Sequence, residues 1–303
     1  MIPDFETLCT WMFVIVDDIW QQLAPRFARP GPAPQCSDSE LITLFLVSEC
    51  MGWDVETEAL SHWQAHRDLF PHLPSQSRAH RRRRYLWLGF NLVRQVVLRV
   101  LDLAQDRQCA IDSLPIPVMA FHTVPTSTSR ADWKAAGAAF GRVTTKRQTI
   151  FGYKLHVLVT LNGVILDFEL APANEADITI GHELLTDHQD LVVIGDKAYI
   201  GQARAAERRT RTGNVLVTGT RRTQHDQVSP EVNRVVNHAR QIVEVVNSQL
   251  SEQFKIERNH AHSFRGLVTR LYSKLTAHTL CIYLNRLLGH SDFLCVKRLA
   301  FPI

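Results

Sequence analysis

Asp112, Asp196 and Glu244 are the residues of this sequence best placed to do chemistry. Asp112 stands in Ala110-Ile111-Asp112-Ser113, at the start of a run with strand character. Asp196 closes a second apolar run, Leu191-Val192-Val193-Ile194-Gly195-Asp196. Glu244 lies in Asn237-His238-Ala239-Arg240-Gln241-Ile242-Val243-Glu244, a stretch with helical character. One carboxylate each from two strands and a helix makes a pocket of hard oxygen donors, the ligands that Mg²⁺-type cations prefer. Two such cations stabilise the attacking and leaving oxygens of an in-line phosphoryl displacement. Asp196 falls where an open α/β sheet binds ligands, beyond the carboxyl end of a strand. Arg240, one turn before Glu244, admits two readings. One is a surface i,i+4 ion pair worth roughly a few tenths of a kcal/mol. The other is a phosphate contact beside a metal-holding carboxylate. Glu252 is the alternative third acid, without an arginine four residues before it.

These acids need elements to hold them. The first third of the chain reads as helices. Ser37-x-x-Glu40 has the form of a capping box, and Leu41, Leu44, Phe45 and Val47 follow at helical spacing. Ala24-Pro25 to Pro34 reads as a loop, and an apolar helix is predicted from about Arg83 to Asp102. The period then changes. Gln108–Val118 reads as a strand limited by Pro115 and Pro117. Phe151–Thr160 and Val164–Leu170 are β-rich runs around Asn162-Gly163, a strong hairpin signal. Helix is predicted at Ile180–Asp187 and Gly201–Arg211, strand at Leu191–Gly195 and Val215–Thr218. Long helices are predicted over Pro230–Phe254 and Leu267–Leu288. The β-branched Val235, Val236, Val243, Val245 and Val246 would suit a strand equally well, but length without Gly or Pro favours helix. The pattern predicts a mixed α/β sheet flanked by helices and preceded by an all-helical region. The expected organisation is a helical region over 1–105, serving DNA binding or self-association. A catalytic domain over 106–290 and a tail over 291–303 follow it.

The 303 residues carry 45% apolar and 21% charged side chains, an ordinary soluble composition, and no run long enough to span a bilayer. The opening Met1-Ile2-Pro3-Asp4-Phe5-Glu6 lacks the form of a signal peptide. Six scattered cysteines without a Cys-x-x-Cys pair argue for free thiols in a reducing cytoplasm and against zinc. His260-x-His262 finds no further ligand at zinc spacing, and no Gly-rich nucleotide loop occurs. Net charge is +4, but residues 1–77 carry three basic and eleven acidic side chains. A polyanion would therefore be held after residue 77. Arg81-Arg82-Arg83-Arg84, with Arg78 just before, is the densest basic run and the preferred phosphate contact. Lys134, Arg142, Lys146 and Arg147 form a second candidate, and Arg204, Arg208, Arg209 and Arg211 a third.

From about residue 75 to 290 the chain resembles the DDE transposases of bacterial insertion sequences. Four stretches carry the resemblance: Ile111-Asp112-Ser113-Leu114-Pro115-Ile116-Pro117-Val118; Gly152-Tyr153-Lys154-Leu155-His156 leading into the Asn162-Gly163 hairpin; Gly195-Asp196-Lys197-Ala198-Tyr199-Ile200; and Arg240-x-x-x-Glu244. The resemblance implies an RNase H-like catalytic domain with Asp112, Asp196 and Glu244 as catalytic, metal-binding acids. It implies two Mg²⁺ ions, for which Mn²⁺ can substitute, cleavage at the ends of an element and joining of the 3′-hydroxyl to target DNA. The partners expected are double-stranded DNA, as terminal inverted repeats and target, and further copies of the chain in a dimer or larger assembly. No membrane partner is expected, and the setting would be a bacterial cytoplasm, at the nucleoid. Lys197 and Arg240 join the DNA-contacting candidates. Many relatives carry a tyrosine three residues before the arginine and a lysine seven after the glutamate. Asn237 and Ser251 stand there instead, and Lys255 is the candidate substitute. A nuclease without strand transfer, and an inactive DNA-binding regulator, are the alternative readings.

Overall fold

The computed structural model describes residues 4–103, 106–124, 126–143, 148–199, 210–218 and 229–300. The chain forms two compact units, Met1–Asp102 with Gln249–Ile303, and Leu103–Ser248. The block expected over 106–290 is thus shared between the units at Gln249. No helix among the described residues is long and apolar enough to cross a membrane.

The first unit is helical. It contains α1 (Phe5–Leu23), α2 (Asp38–Cys50), α3 (Glu56–Gln64), α4 (Gln76–Tyr85) and α5 (Trp87–Leu101). The helix α2 starts where its sequence says it should. Ser37 accepts from the Glu40 backbone N–H and the Glu40 carboxylate accepts from that of Ser37, so both limbs of the capping box are made. From Leu41 to Cys50 all ten residues are buried, the polar Thr43, Ser48 and Glu49 included. A helix buried on every side must be surrounded by other elements. The predicted helix from Arg83 is two helices instead. Leu86 (φ −83°, ψ 11°) leaves helical geometry and is wholly buried, separating α4 from α5.

The second unit is built on a six-stranded mixed sheet: β1 (Gln108–Met119), β2 (Ala139–Val143), β3 (Gln148–Thr160), β4 (Ile165–Pro172), β5 (Val192–Gly195) and β6 (Val215–Val217). The strands β3 and β4 form the expected hairpin, with Gly163 at φ 81°. β3 lies antiparallel to β1, while β5 and β6 continue parallel to it. The path β4-β3-β1-β5-β6, with β2 added along the first part of β3, is the RNase H-like mixed sheet that the resemblance implies. Pro115 and Pro117 do not end β1. They lie beyond Ile111↔Gly195, the last pair with β5, so β1 there has a strand on one side only and the missing N–H groups cost no ladder bond.

Between the strands lie α6 (Arg130–Ala135) and α7 (Asp177–Leu184). One face of the sheet is closed by Cys109, Ile111, Leu158 and Val193, packed with Leu184, Leu185 and Tyr199. The predicted helix Gly201–Arg211 lies almost wholly outside the described residues, and Arg204, Arg208 and Arg209 with it.

The helix α8 (Pro230–Glu252) follows, then α9 (Phe264–Leu287) and the short α10 (Lys297–Ala300). Val236, Ala239, Val243, Val246 and Leu250 of α8 are buried at alternating spacings of three and four, while Val235 and Val245 are exposed. That stripe has the period of a helix, so burial of one face outweighs the β preference of its valines. α9 belongs to the helical unit: its Thr276 hydroxyl donates to the Phe90 carbonyl of α5 at 2.9 Å, and Cys281 Sγ lies 3.5 Å from Cys50 Sγ of α2.

Candidate active site

Strand register places the first two acids. In the parallel pair of β1 and β5 the last partners are Ile111 and Gly195, so Asp112 and Asp196 are the next residues on neighbouring strands. Successive strand side chains alternate between faces. Ile111 and Val193 point into the core shared with Tyr199, which sends Asp112 and Asp196 to the opposite face.

The helix α8 supplies the third acid. Arg240 Nη2 donates to Asp196 Oδ1 at 3.5 Å, and Asn247 Nδ2 donates to Asp112 Oδ2 at 2.8 Å. Arg240, Glu244 and Asn247 are spaced i, i+4 and i+7, one face of a helix. Glu244 is therefore bracketed by two side chains that each touch one of the aspartates. Arg240 engages Asp196 rather than forming the surface pair with Glu244.

Burial and charge shape the site. Asp112 is pushed up to about 6, first by burial and then by the negative charges of Asp196, Asp177 and Glu244, against a backbone N–H of Ser113 that favours the carboxylate. Asp196 and Glu244 are solvent-exposed. Burial beside other carboxylates disfavours the ionised form of Asp112, and a cation would offset that. Asn247 Oδ1, buried beside Asp112, has no hydrogen-bond partner among the described residues. Hard oxygen donors, carboxylates that act on one another at Asp112, and an unused buried carbonyl oxygen fit divalent cations. Among the described residues no three His, Cys, Asp or Glu side chains stand in the geometry of a metal site. Asp112 is the half-buried member, whereas Asp196 and Glu244 can change rotamer in solvent. Asp112, Asp196 and Glu244 are the residues that would hold the ions.

The reverse face carries groups that sequence reasoning missed. Asp177, at the start of α7, receives Lys154 Nζ in a short ion pair and lies 3.9 Å from His156 Nε2. His156 Nδ1 lies 3.0 Å from the Tyr199 hydroxyl; burial first, and then the Lys154 cation, lower its pKa to about 4 against the opposing pull of Asp177. Tyr199 is buried and meets the His156 ring edge-on at 5.9 Å. A Cβ on Gly181 would come within 2.6 Å of the Tyr199 ring. Burial first, and then the charges of Asp112 and Asp177, push the Tyr199 hydroxyl far above its ordinary range, so it stays protonated. Asn247 could have been found from its spacing to Arg240 and Glu244. Asp177 had no such signal, because only the sheet brings it near Asp112.

Arg78, Arg81 and Arg84 are exposed on α4. The Arg83 guanidinium is buried, donating to Glu49 at 2.7 Å and to Ser273 at 3.2 Å. Arg82 is held by Asp38 at 2.6 Å and the Cys36 carbonyl at 2.8 Å. Lys255 (φ 48°) also has local duties, donating to the Gly52 carbonyl at 2.7 Å and to Asp54 at 3.1 Å. Glu252, the alternative acid, is exposed and belongs to the helical unit. Lys146 and Arg147 lie outside the described residues, and Lys197 sits in the 3₁₀ turn after Asp196.

The strained electrostatics make a stability prediction. The folded pKa of Asp112 lies above its unfolded value, so the penalty is absent below about pH 4 and fully present above pH 6. Asp112→Asn in a metal-free buffer at pH 7 is expected to stabilise the chain by on the order of 2 kcal/mol. The gain should vanish at pH 4. Chemical denaturation at both pH values checks this, and equal stability of the two proteins at pH 7 would contradict it.

Residues 104–280 match the family model described as the transposase DDE domain. No curated protein and no solved structure matches. With more than half of its length matched, the chain belongs to the family of transposases with a DDE domain.

Proposed function

We propose that the chain is a DNA transposase that cuts at the ends of its element and joins the freed 3′-hydroxyl to target DNA. The observation that carries this reading is the bracketing of Glu244 by Arg240 and Asn247, which tie α8 to Asp196 and Asp112. Bound divalent ions, Mg²⁺ or Mn²⁺, would supply charge neutralisation at the scissile phosphate and activation of the attacking oxygen. The chain's own residues do the rest. Asn247 fixes the orientation of Asp112, and the sheet register fixes Asp196 beside it. Arg240 holds Asp196 only loosely and is exposed, so its guanidinium can turn to a phosphate oxygen, a partner of matching bidentate geometry. On the reverse face, Lys154 pairs with Asp177, whose charge reaches Asp112. No side chain needs to become covalently attached to DNA, and protonated Tyr199 is not a nucleophile.

Double-stranded DNA is the partner, bound as two element ends and a target. Joining two ends calls for at least two active sites, hence a dimer or larger assembly on DNA. The test is a strand-transfer assay with pre-cut element ends, a target plasmid and Mg²⁺. Joined product that disappears with Asp196→Asn is expected. Cleavage of uncut ends without any joined product would reduce the activity to that of a nuclease, and neither reaction would leave a DNA-binding regulator.

A further inference from the structure

The helical unit holds a cleft of about 240 Å³ between α3, α4, the 260–263 segment and the start of α9. From α4 it is lined by His80, Arg83 and Arg84. His260 and His262 line it from the segment before α9, and Arg270 from the second turn of that helix. Glu56 is the one carboxylate in the lining. It lies 3.3 Å from His80 and 3.9 Å from Arg83, so its charge is shared between those two. Arg270 donates to the Asp54 carbonyl at 3.0 Å. Burial first, and then the charge of Arg83, work against the Arg270 cation, while the Glu49, Glu56 and Asp54 carboxylates support it.

Three further observations point to an anion. Arg83 is 5% exposed, and its Nε is buried without a hydrogen-bond partner. The side chains of Arg84 and His262 make no hydrogen bond or ion pair among the described residues. The cleft also takes in the N-terminus of α9, a helix of 24 residues capped by Ser263, whose dipole favours negative charge. Arg83 is paired with Glu49 and His260 with Asp54, so Arg84 and His262 are the lining groups left to take an outside acceptor. A phosphate oxygen can accept from Arg84 and His262 together, and a guanidinium matches two phosphate oxygens at once.

We propose that this cleft seats one backbone phosphate of duplex DNA. The assignment rests on the reading of the chain as a DNA transposase, and it adds a binding point outside the acid cluster. Phosphate contacts of this kind fix position and register without reading sequence.

The test uses the full chain with a fluorescently labelled DNA duplex, titrated over a series of salt concentrations. Arg84→Ala should weaken binding about 5–10-fold at low salt and lower the slope of log K against log salt by about one. His262→Ala should weaken it by about 2–5-fold, and Arg84→Lys should keep the wild-type slope. Circular dichroism establishes that each variant is folded; both side chains project into the cleft without structural bonds. If the wild type binds and both alanine variants match it in affinity and slope, the cleft assignment is overturned and the transposase reading stands. If the wild type binds no duplex at all, both fall together. Calorimetry with inorganic phosphate alone separates the remaining source: tight uptake of the free ion, with duplex binding unaffected by Arg84→Ala, would assign the cleft to a free anion and overturn the proposal.

Discussion

Asp112→Ala and Glu244→Ala are each expected to abolish DNA cleavage while leaving duplex binding within about twofold of the wild type. The loss should be on the order of 10³-fold or more, because removing a ligand forfeits several kcal/mol of transition-state charge stabilisation. Binding survives because it depends on cationic surface, and removing one carboxylate from the acid cluster takes no cation away. A second measurement separates metal loss from misfolding. Mg²⁺ or Mn²⁺ should raise the melting temperature of the wild type, by about 2.7 kcal/mol of stabilisation at a hundredfold excess over Kd. Neither variant should show that rise. Asp112→Ala loses more than a ligand, since Asn247 Nδ2 loses its acceptor at 2.8 Å. Glu244 is exposed, so its substitution is the cleaner probe of the metal role. A Glu244→Ala protein that cuts DNA at the wild-type rate would remove the third acid from the site.

Glu49→Ala is expected to unfold the helical unit more readily by about 3–5 kcal/mol. Glu49 is buried between two cations, accepting from Lys274 at 2.6 Å and from Arg83 at 2.7 Å. Lys274 is equally buried and also donates to the Phe254 carbonyl at 2.6 Å. Removing the carboxylate leaves two positive charges facing one another in the core, and the cost of that exceeds the worth of the pairs themselves. Burial pushes the Glu49 carboxyl up, but Lys274 and Arg83 outweigh it and hold the group below its ordinary value. A depressed folded pKa gives stability that is full above the unfolded value, about pH 4, and lost as pH falls through the folded value. The wild type should therefore lose stability below about pH 4, and Glu49→Gln should lose less over that range. Urea unfolding at pH 7 and pH 3 measures both. A Glu49→Ala protein as stable as the wild type at pH 7 would show that the cluster is not holding α2, α4 and α9 together.

Much of this molecule could be read from short-range pattern. The capping box at Ser37, the Asn162-Gly163 hairpin and the stripe of α8 all rest on interactions within a few residues, and each appears where the sequence places it. Other features escaped because they depend on neighbours far along the chain. Two prolines within β1 are tolerated only because β5 stops at Gly195. The break at Leu86 has no Gly or Pro to announce it. Arg83 looks like its three arginine neighbours in sequence, yet Glu49 and Ser273, from two other helices, draw it inside.

Residue type and position, together with the resemblance of four motifs, nominated Asp112, Asp196 and Glu244 as candidate acids. Folding decided the company they keep. The parallel register sets Asp112 beside Asp196, the pitch of α8 turns Arg240 and Asn247 onto them, and α7 brings Asp177 into their field. Electrostatic coupling depends on distance through space, which a linear sequence does not contain until its strands are paired.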